Sequence, residues 1–102
     1  HILFVHQNFP GQFVHLAPAL AARGHDCRAL TDMRNARPAP VPVLRYRFDA
    51  PKVDPAATRL GRNYTTMSDR GVAAARAALA MRRQGYVPDL VLGHSGWGET
   101  LF

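Results

Sequence analysis

The chain has 102 residues, 47% of them hydrophobic, with a formal net charge of +6 carried by twelve arginines and one lysine, Lys52. That length bounds it to one domain, long enough to bury roughly two-thirds of its unfolded surface. No apolar run approaches the roughly 18 residues of a membrane-spanning helix. The positive balance suits phosphates, acidic lipid headgroups or nucleic acid, although an arginine- and alanine-rich source genome accounts for it equally well.

Cys27 is the only cysteine and has no internal disulfide partner, which fits a reducing compartment. It falls in an apolar strand pattern and reads as a small core residue rather than a nucleophile. No basic and apolar leader opens the chain, so the expected location is cytoplasmic, with the inner membrane face the other place where the charge fits. The sequence starts on a strand and stops as a helix should begin at Thr100-Leu101-Phe102. Both ends therefore read as cut from something longer.

Ile2-Leu3-Phe4-Val5 is a buried strand, followed by the polar loop His6-Gln7-Asn8-Phe9-Pro10-Gly11. Phe13, Leu16, Ala17, Leu20 and Ala21 then form one apolar helical stripe, capped by Gly24. Pro18 should cost that helix a backbone bond and bend it. His25 to Thr31 reads as a second strand, parallel to the first through a right-handed crossover. Residues 32–42 are a loop. Val41 to Phe48 alternates, with Leu44, Tyr46 and Phe48 on one face and Val43, Arg45 and Arg47 on the other. A strand with one charged face belongs at a sheet edge, and Pro42 agrees.

After a proline-bearing loop, Arg59 to Gln84 is a long helix with the stripe Leu60, Tyr64, Met67, Gly71, Ala74, Ala75, Ala78 and Leu79, ended by Gly85. Its small residues imply close approach to the sheet. Leu90-Val91-Leu92-Gly93 reads as a continuous apolar strand of the buried parallel kind. His94-Ser95-Gly96-Trp97-Gly98-Glu99 is a second glycine-bearing loop. The expected fold is α/β, a Rossmann-like open parallel sheet in the order 3-2-1-4. That order sets strands one and four side by side, so the loops after Val5 and Gly93 meet at the switch point. Cut after strand four, such a sheet leaves an apolar edge, so the piece is expected to self-associate there or swap its C-terminal segment. Light scattering at high concentration tests this; a monodisperse monomer counts against it.

His6 and His94 should then be neighbours. Two histidines without a third ligand are a weak metal site; the other readings are polar caps on adjacent loops, or a contact to substrate or phosphate. His15 and His25 read as structural. Arg45 and Arg47 are either a solvated face that deters edge pairing or a means of steering an anionic acceptor. The first loop lacks a dinucleotide fingerprint, and there is no Walker sequence.

The run from Ile2 to Phe13, followed by His15-Leu16-Ala17-Pro18-Ala19-Leu20-Ala21-Ala22-Arg23-Gly24-His25, resembles the N-terminus of family 4 glycosyltransferases. Pro88-Asp89-Leu90-Val91 with His94-Ser95-Gly96-Trp97-Gly98-Glu99 is similar to the group whose N-terminal domain carries a His-x-Gly-Trp-Gly-Glu motif. The likeness covers nearly the whole chain and is thinnest between Asp32 and Thr66.

The resemblance implies a GT-B fold, two Rossmann-like domains facing a cleft, of which residues 1–102 are a single truncated N-terminal domain without the donor-binding one. It implies retaining transfer of a sugar, hexosyl in type, from a nucleotide-sugar donor to an acceptor hydroxyl, with no metal and no further cofactor. Donor-phosphate contacts map onto Gly11 and Gln12, where this chain has one glycine and many members have two. The second histidine of the family's His-x-His maps onto His94 as the catalytic position, while the first falls on Leu92. Acceptor contacts map onto Asn8, Ser95, Gly96, Trp97 and Glu99. Trp97 either stacks on a sugar face or anchors the next helix. The fragment alone is expected to turn nothing over. Two other readings compete: a stand-alone Rossmann-like module that binds a phosphate ligand or regulates a partner, and a nucleic-acid binder. The last has only charge in its favour, without aromatic interleaving or a motif, so no nucleic-acid partner is expected.

Overall fold

The computed structural model describes residues 1–52 and 54–100. Four strands, β1 (Ile2–Val5), β2 (Cys27–Asp32), β3 (Val43–Tyr46) and β4 (Leu90–Gly93), form one sheet in the order β3-β2-β1-β4. All three pairings are parallel. The fold is thus α/β and Rossmann-like, with the strand order read from the sequence. Among the described residues two helices complete it, α1 (Leu16–Ala22) and α2 (Arg59–Arg83), with short 3-10 turns at Gly11–Phe13 and Ser95–Trp97.

Because side chains alternate along a strand, the sheet builds two separate apolar layers. Ile2, Phe4, Cys27 and Ala29 face α1 and pack with Phe9, Phe13, Ala17 and Val41. Leu3, Val5 and Leu30 face α2 with Tyr46, Phe48, Ala74 and Met81. β1 is central and buried at all four positions, which explains its unbroken apolar run. β3 keeps the expected alternation: Val43 packs on the first layer, Leu44 and Tyr46 on the second, and Arg45 is exposed.

Pro18 does not cost α1 the expected backbone bond. Pro18 is the third residue of α1, where its missing N–H would have had no partner within the helix. Phe13 packs as expected but from the 3-10 turn, and Leu16, placed on the buried stripe by its spacing, is 43% exposed. Gly24 ends α1 at φ +87°.

The stripe of α2 is buried only at Gly71 and Ala74, with Met67, Ala75 and Ala78 half-buried and Leu79 52% exposed near its end. Leu60 and Tyr64 are 79% and 70% exposed, whereas Gly71, Ala74 and Met81 are buried. Length explains the difference. A helix of 25 residues runs ~37 Å, while a four-residue strand covers ~13 Å, so the first turns overrun the sheet. Thr58 caps the start, its Oγ1 accepting from the Gly61 N–H at 3.1 Å.

β4 is also a correction. It pairs with β1 as expected, yet Leu90 and Val91 are about half exposed. Among the described residues the strand has one neighbour, and it flanks an apolar groove of about 470 Å³ lined by Ala74, Ala78, Met81 and Val91. Apolar sequence signals burial only when something lies on both faces. No helix among the described residues is long and apolar enough to cross a membrane. The helix expected from Thr100 onward falls on Leu101 and Phe102, outside the described residues.

Candidate functional site

The carboxyl ends of β1 and β4 lie together, Val5 paired with Gly93, so the two following residues, His6 and His94, meet on one rim. Their rings are 6.1 Å apart, centroid to centroid, and nearly perpendicular. The two are seated in the same way. The Asn8 N–H donates to His6 Nδ1 at 3.0 Å, and the Gly96 N–H donates to His94 Nδ1 at 3.0 Å. A glycine clears room beside each ring. A Cβ on Gly11 would stand 2.8 Å from His6 Cε1, and one on Gly96 would stand 2.6 Å from His94 Cε1.

That seating has a chemical consequence. With Nδ1 accepting, the proton of a neutral imidazole sits on Nε2. Burial holds the His6 pKa below the usual histidine value, with the His94 ring and Arg37 acting in the same direction against the opposing pull of Glu99. Among the described residues no group of three or more His, Cys, Asp or Glu comes together to hold a metal ion.

The first loop is tied to β2 by a buried polar cluster. Thr31 Oγ1 donates to Gln7 O at 2.8 Å and accepts from the Phe9 N–H at 3.3 Å and from Asn35 Nδ2 at 2.8 Å. Asn35 Nδ2 also donates to Phe9 O at 2.7 Å. Each partner keeps a second bond, so Thr31→Val, which trades the hydroxyl for a methyl, should cost about 1–2 kcal/mol. Urea unfolding checks this, with Thr31→Ser expected closer to wild type. An unchanged midpoint for Thr31→Val would mean the hydroxyl holds nothing.

The second loop is fixed by three contacts. Gly98, at φ +98°, lies directly against the Met67 backbone of α2. Arg70 Nη1 donates to Trp97 O at 3.3 Å. Tyr46 Oη donates to Glu99 Oε1 at 2.9 Å, and burial together with that carboxylate pushes the phenol's pKa up.

The structure thus brings His94, Ser95, Gly96 and Trp97 to the same rim as Asn8, with Trp97 44% exposed. Glu99 lies close enough to act on His6, yet it is 5% exposed and bonded to Tyr46. Gly11 and Gln12 open the 3-10 turn, whose leading amides have no partner within it. The dipole of α1 does not reach them, because that helix starts at Leu16. The sequence reading gave Thr31, Asn35, Tyr46, Met67 and Arg70 no part in the site, and placed Tyr46 and Met67 only on apolar faces. Only Thr31, a hydroxyl at the end of an apolar strand, carried a signal.

A family model described as glycosyl transferase family 4 group matches residues 23–102. No curated protein and no solved structure matches the chain. The matched span takes in β2, β3, α2, β4 and the His94 loop, most of the sheet and half of the rim. A match over that much of a parallel sheet whose strand ends gather two imidazoles places the chain in the glycosyl transferase family 4 group.

Proposed function

We propose that this chain is the acceptor-side part of a retaining glycosyltransferase of GT-B architecture, moving a sugar from a nucleotide-sugar donor to an acceptor hydroxyl. Glycosyl transfer is the chemistry of its family; the finer statement is supported by the rim. The carrying observation is the pair of imidazoles 6.1 Å apart, each with Nδ1 satisfied by a backbone amide.

Sugar transfer of this kind needs the leaving diphosphate stabilised and the acceptor oriented, tasks of positioning and electrostatics. His94 Nε2–H donates to a sugar or acceptor oxygen near the reacting centre. Asn8, Ser95, Gly96 and the exposed ring of Trp97 line the acceptor's approach. The leading amides at Gly11 and Gln12 serve the donor phosphates. Glu99 contributes by holding the loop through Tyr46, in place of the direct acceptor contact implied by the resemblance.

His94→Ala in the full-length enzyme is expected to lower kcat by about tenfold to a hundredfold, the value of one hydrogen bond to a charged or developing-charge oxygen. His94→Gln, which keeps an N–H donor, should recover part of that. Steady-state kinetics with a nucleotide-sugar donor reads both. Wild-type turnover in His94→Ala would remove the role.

A further inference from the structure

His6 has no part in the chemistry assigned to His94, yet the fold builds a seat for it. Its Nδ1 accepts the Asn8 N–H at 3.0 Å, and at the neighbouring strand end His94 Nδ1 accepts the Gly96 N–H at 3.0 Å. In each case a side chain takes the amide two residues further on, as an asparagine or aspartate does in an Asx turn. The imidazole Nδ1 stands where an asparagine Oδ1 would. An asparagine accepts at every pH. A histidine accepts here only while neutral, because protonation puts a hydrogen on Nδ1, where it meets the amide hydrogen.

The surroundings of His6 suit the neutral ring. Phe13 packs edge-on to it with centroids 6.1 Å apart, and Gly11 leaves room beside Cε1. None of the ion pairs among the described residues includes His6. His1, by contrast, turns Nδ1 to Asp26 Oδ2 at 2.9 Å, where a ring proton has an acceptor. The charged and titratable groups that act on His6 are His94 and Glu99 from the second loop and Arg37 from the stretch after β2. Glu99 favours a proton on the ring, whereas burial, His94 and Arg37 oppose it, burial most strongly. The seat is therefore whole above the ordinary histidine range and is lost as pH falls through a value below it.

The seat governs a small piece of the first loop. On either side of Asn8 the chain is held without any titratable group: Thr31 Oγ1 donates to Gln7 O and accepts the Phe9 N–H, and Asn35 Nδ2 donates to Phe9 O. Loss of the imidazole bond thus frees Asn8 between two fixed neighbours and leaves the rest of the loop in place.

We propose that His6 is a positioning residue for the transfer reaction: its neutral imidazole replaces the asparagine of an Asx turn, fixes Asn8 at the rim, and releases it on binding a proton. Only the effect on turnover rests on the transferase reading.

The test uses the full-length protein, isotopically labelled at histidine and asparagine nitrogens. At about pH 8, well above the ordinary histidine range, NMR is expected to show the His6 proton on Nε2 and a coupling across the hydrogen bond between the Asn8 amide nitrogen and His6 Nδ1. The coupling should vanish in acid with a midpoint below about 6.5. His94→Gln, which removes one of the groups opposing the proton, should move that midpoint up. In the kinetic assay at about pH 8, His6→Asn, which keeps an acceptor and cannot titrate, should stay within about twofold of the wild-type kcat/KM, while His6→Phe, which keeps a ring without an acceptor, should lose about threefold to tenfold. Below the midpoint the wild type should fall behind His6→Asn by a similar factor. A His6 proton on Nδ1 in the alkaline sample overturns the proposal, as does a coupling that outlasts titration of the ring. Equal losses in His6→Asn and His6→Phe overturn it too, since the ring and not its acceptor would then matter. If His6→Phe misfolds, the wild-type spectra and His6→Asn still decide. If no sugar moves at all, the transferase reading fails, and the coupling alone answers for the seat.

Discussion

Gly98→Ala is expected to destabilise the protein by about 2–5 kcal/mol. Two costs combine at this position. A left-handed φ of +98° costs an L residue about 1–2 kcal/mol. In addition, the new Cβ would stand 2.7 Å from both C and Cα of Met67. Backbone atoms of a helix interior cannot rotate away as a side-chain tip can, so the overpacking adds about 1–3 kcal/mol. For a domain of this size the sum lowers Tm by about 10 °C or more. Gly24→Ala separates the two costs, since Gly24 has a similar φ of +87° and nothing within 4 Å of its Cβ position. It should lose only the first, about 1–2 kcal/mol. Thermal melts of the pair decide the matter: equal losses would show that Gly98 does not touch α2. The functional consequence is local, because Gly98 seats the loop that carries His94 and Trp97.

Tyr46→Phe should cost about 2–3 kcal/mol. The change removes one oxygen from a site that is 3% exposed, and leaves a Glu99 carboxylate that is 5% exposed without its donor. Hydrogen bonds to charged groups are worth about 1.5–3 kcal/mol, and orphaning the buried partner falls at the upper end. Pairing the substitution with Glu99→Gln in a double-mutant cycle isolates the interaction, with a coupling of about 1 kcal/mol or more expected. Additive losses would mean that the two side chains are independent. Since Tyr46 ends β3 and Glu99 follows the second loop, the bond ties the outermost strand to the rim. In the transferase reading it is a positioning contact, so Tyr46→Phe should weaken acceptor handling before it touches donor binding.

How far the site was legible follows from which interactions are local. The two histidines announced themselves because each follows an apolar strand and precedes a glycine-bearing loop, and parallel strands with short crossovers leave few orders for the sheet. The amide-to-imidazole bonds span two residues, from His6 to Asn8 and from His94 to Gly96, and they too are local. Tyr46 and Glu99 are 53 residues apart and Arg70 and Trp97 are 27 apart. No spacing rule reaches such pairs. The stripe of α2 misled for a related reason: periodicity names a face, and only the extent of the sheet decides how much of that face is covered. Leu60 and Tyr64 are on the apolar face and beyond the sheet.

By itself the sequence determined the strands, the order in which they pair, and the two loops that share a rim. Alternation, helical period and turn residues act within a few positions of the chain, and the handedness of crossovers does the rest. The tertiary structure alone decided that Glu99 turns inward, that β4 is half bare, and that the buried Arg70 Nε has no partner among the described residues. Those outcomes depend on which distant groups fill the space around a side chain, and packing of that kind is settled only when the whole chain has closed on itself.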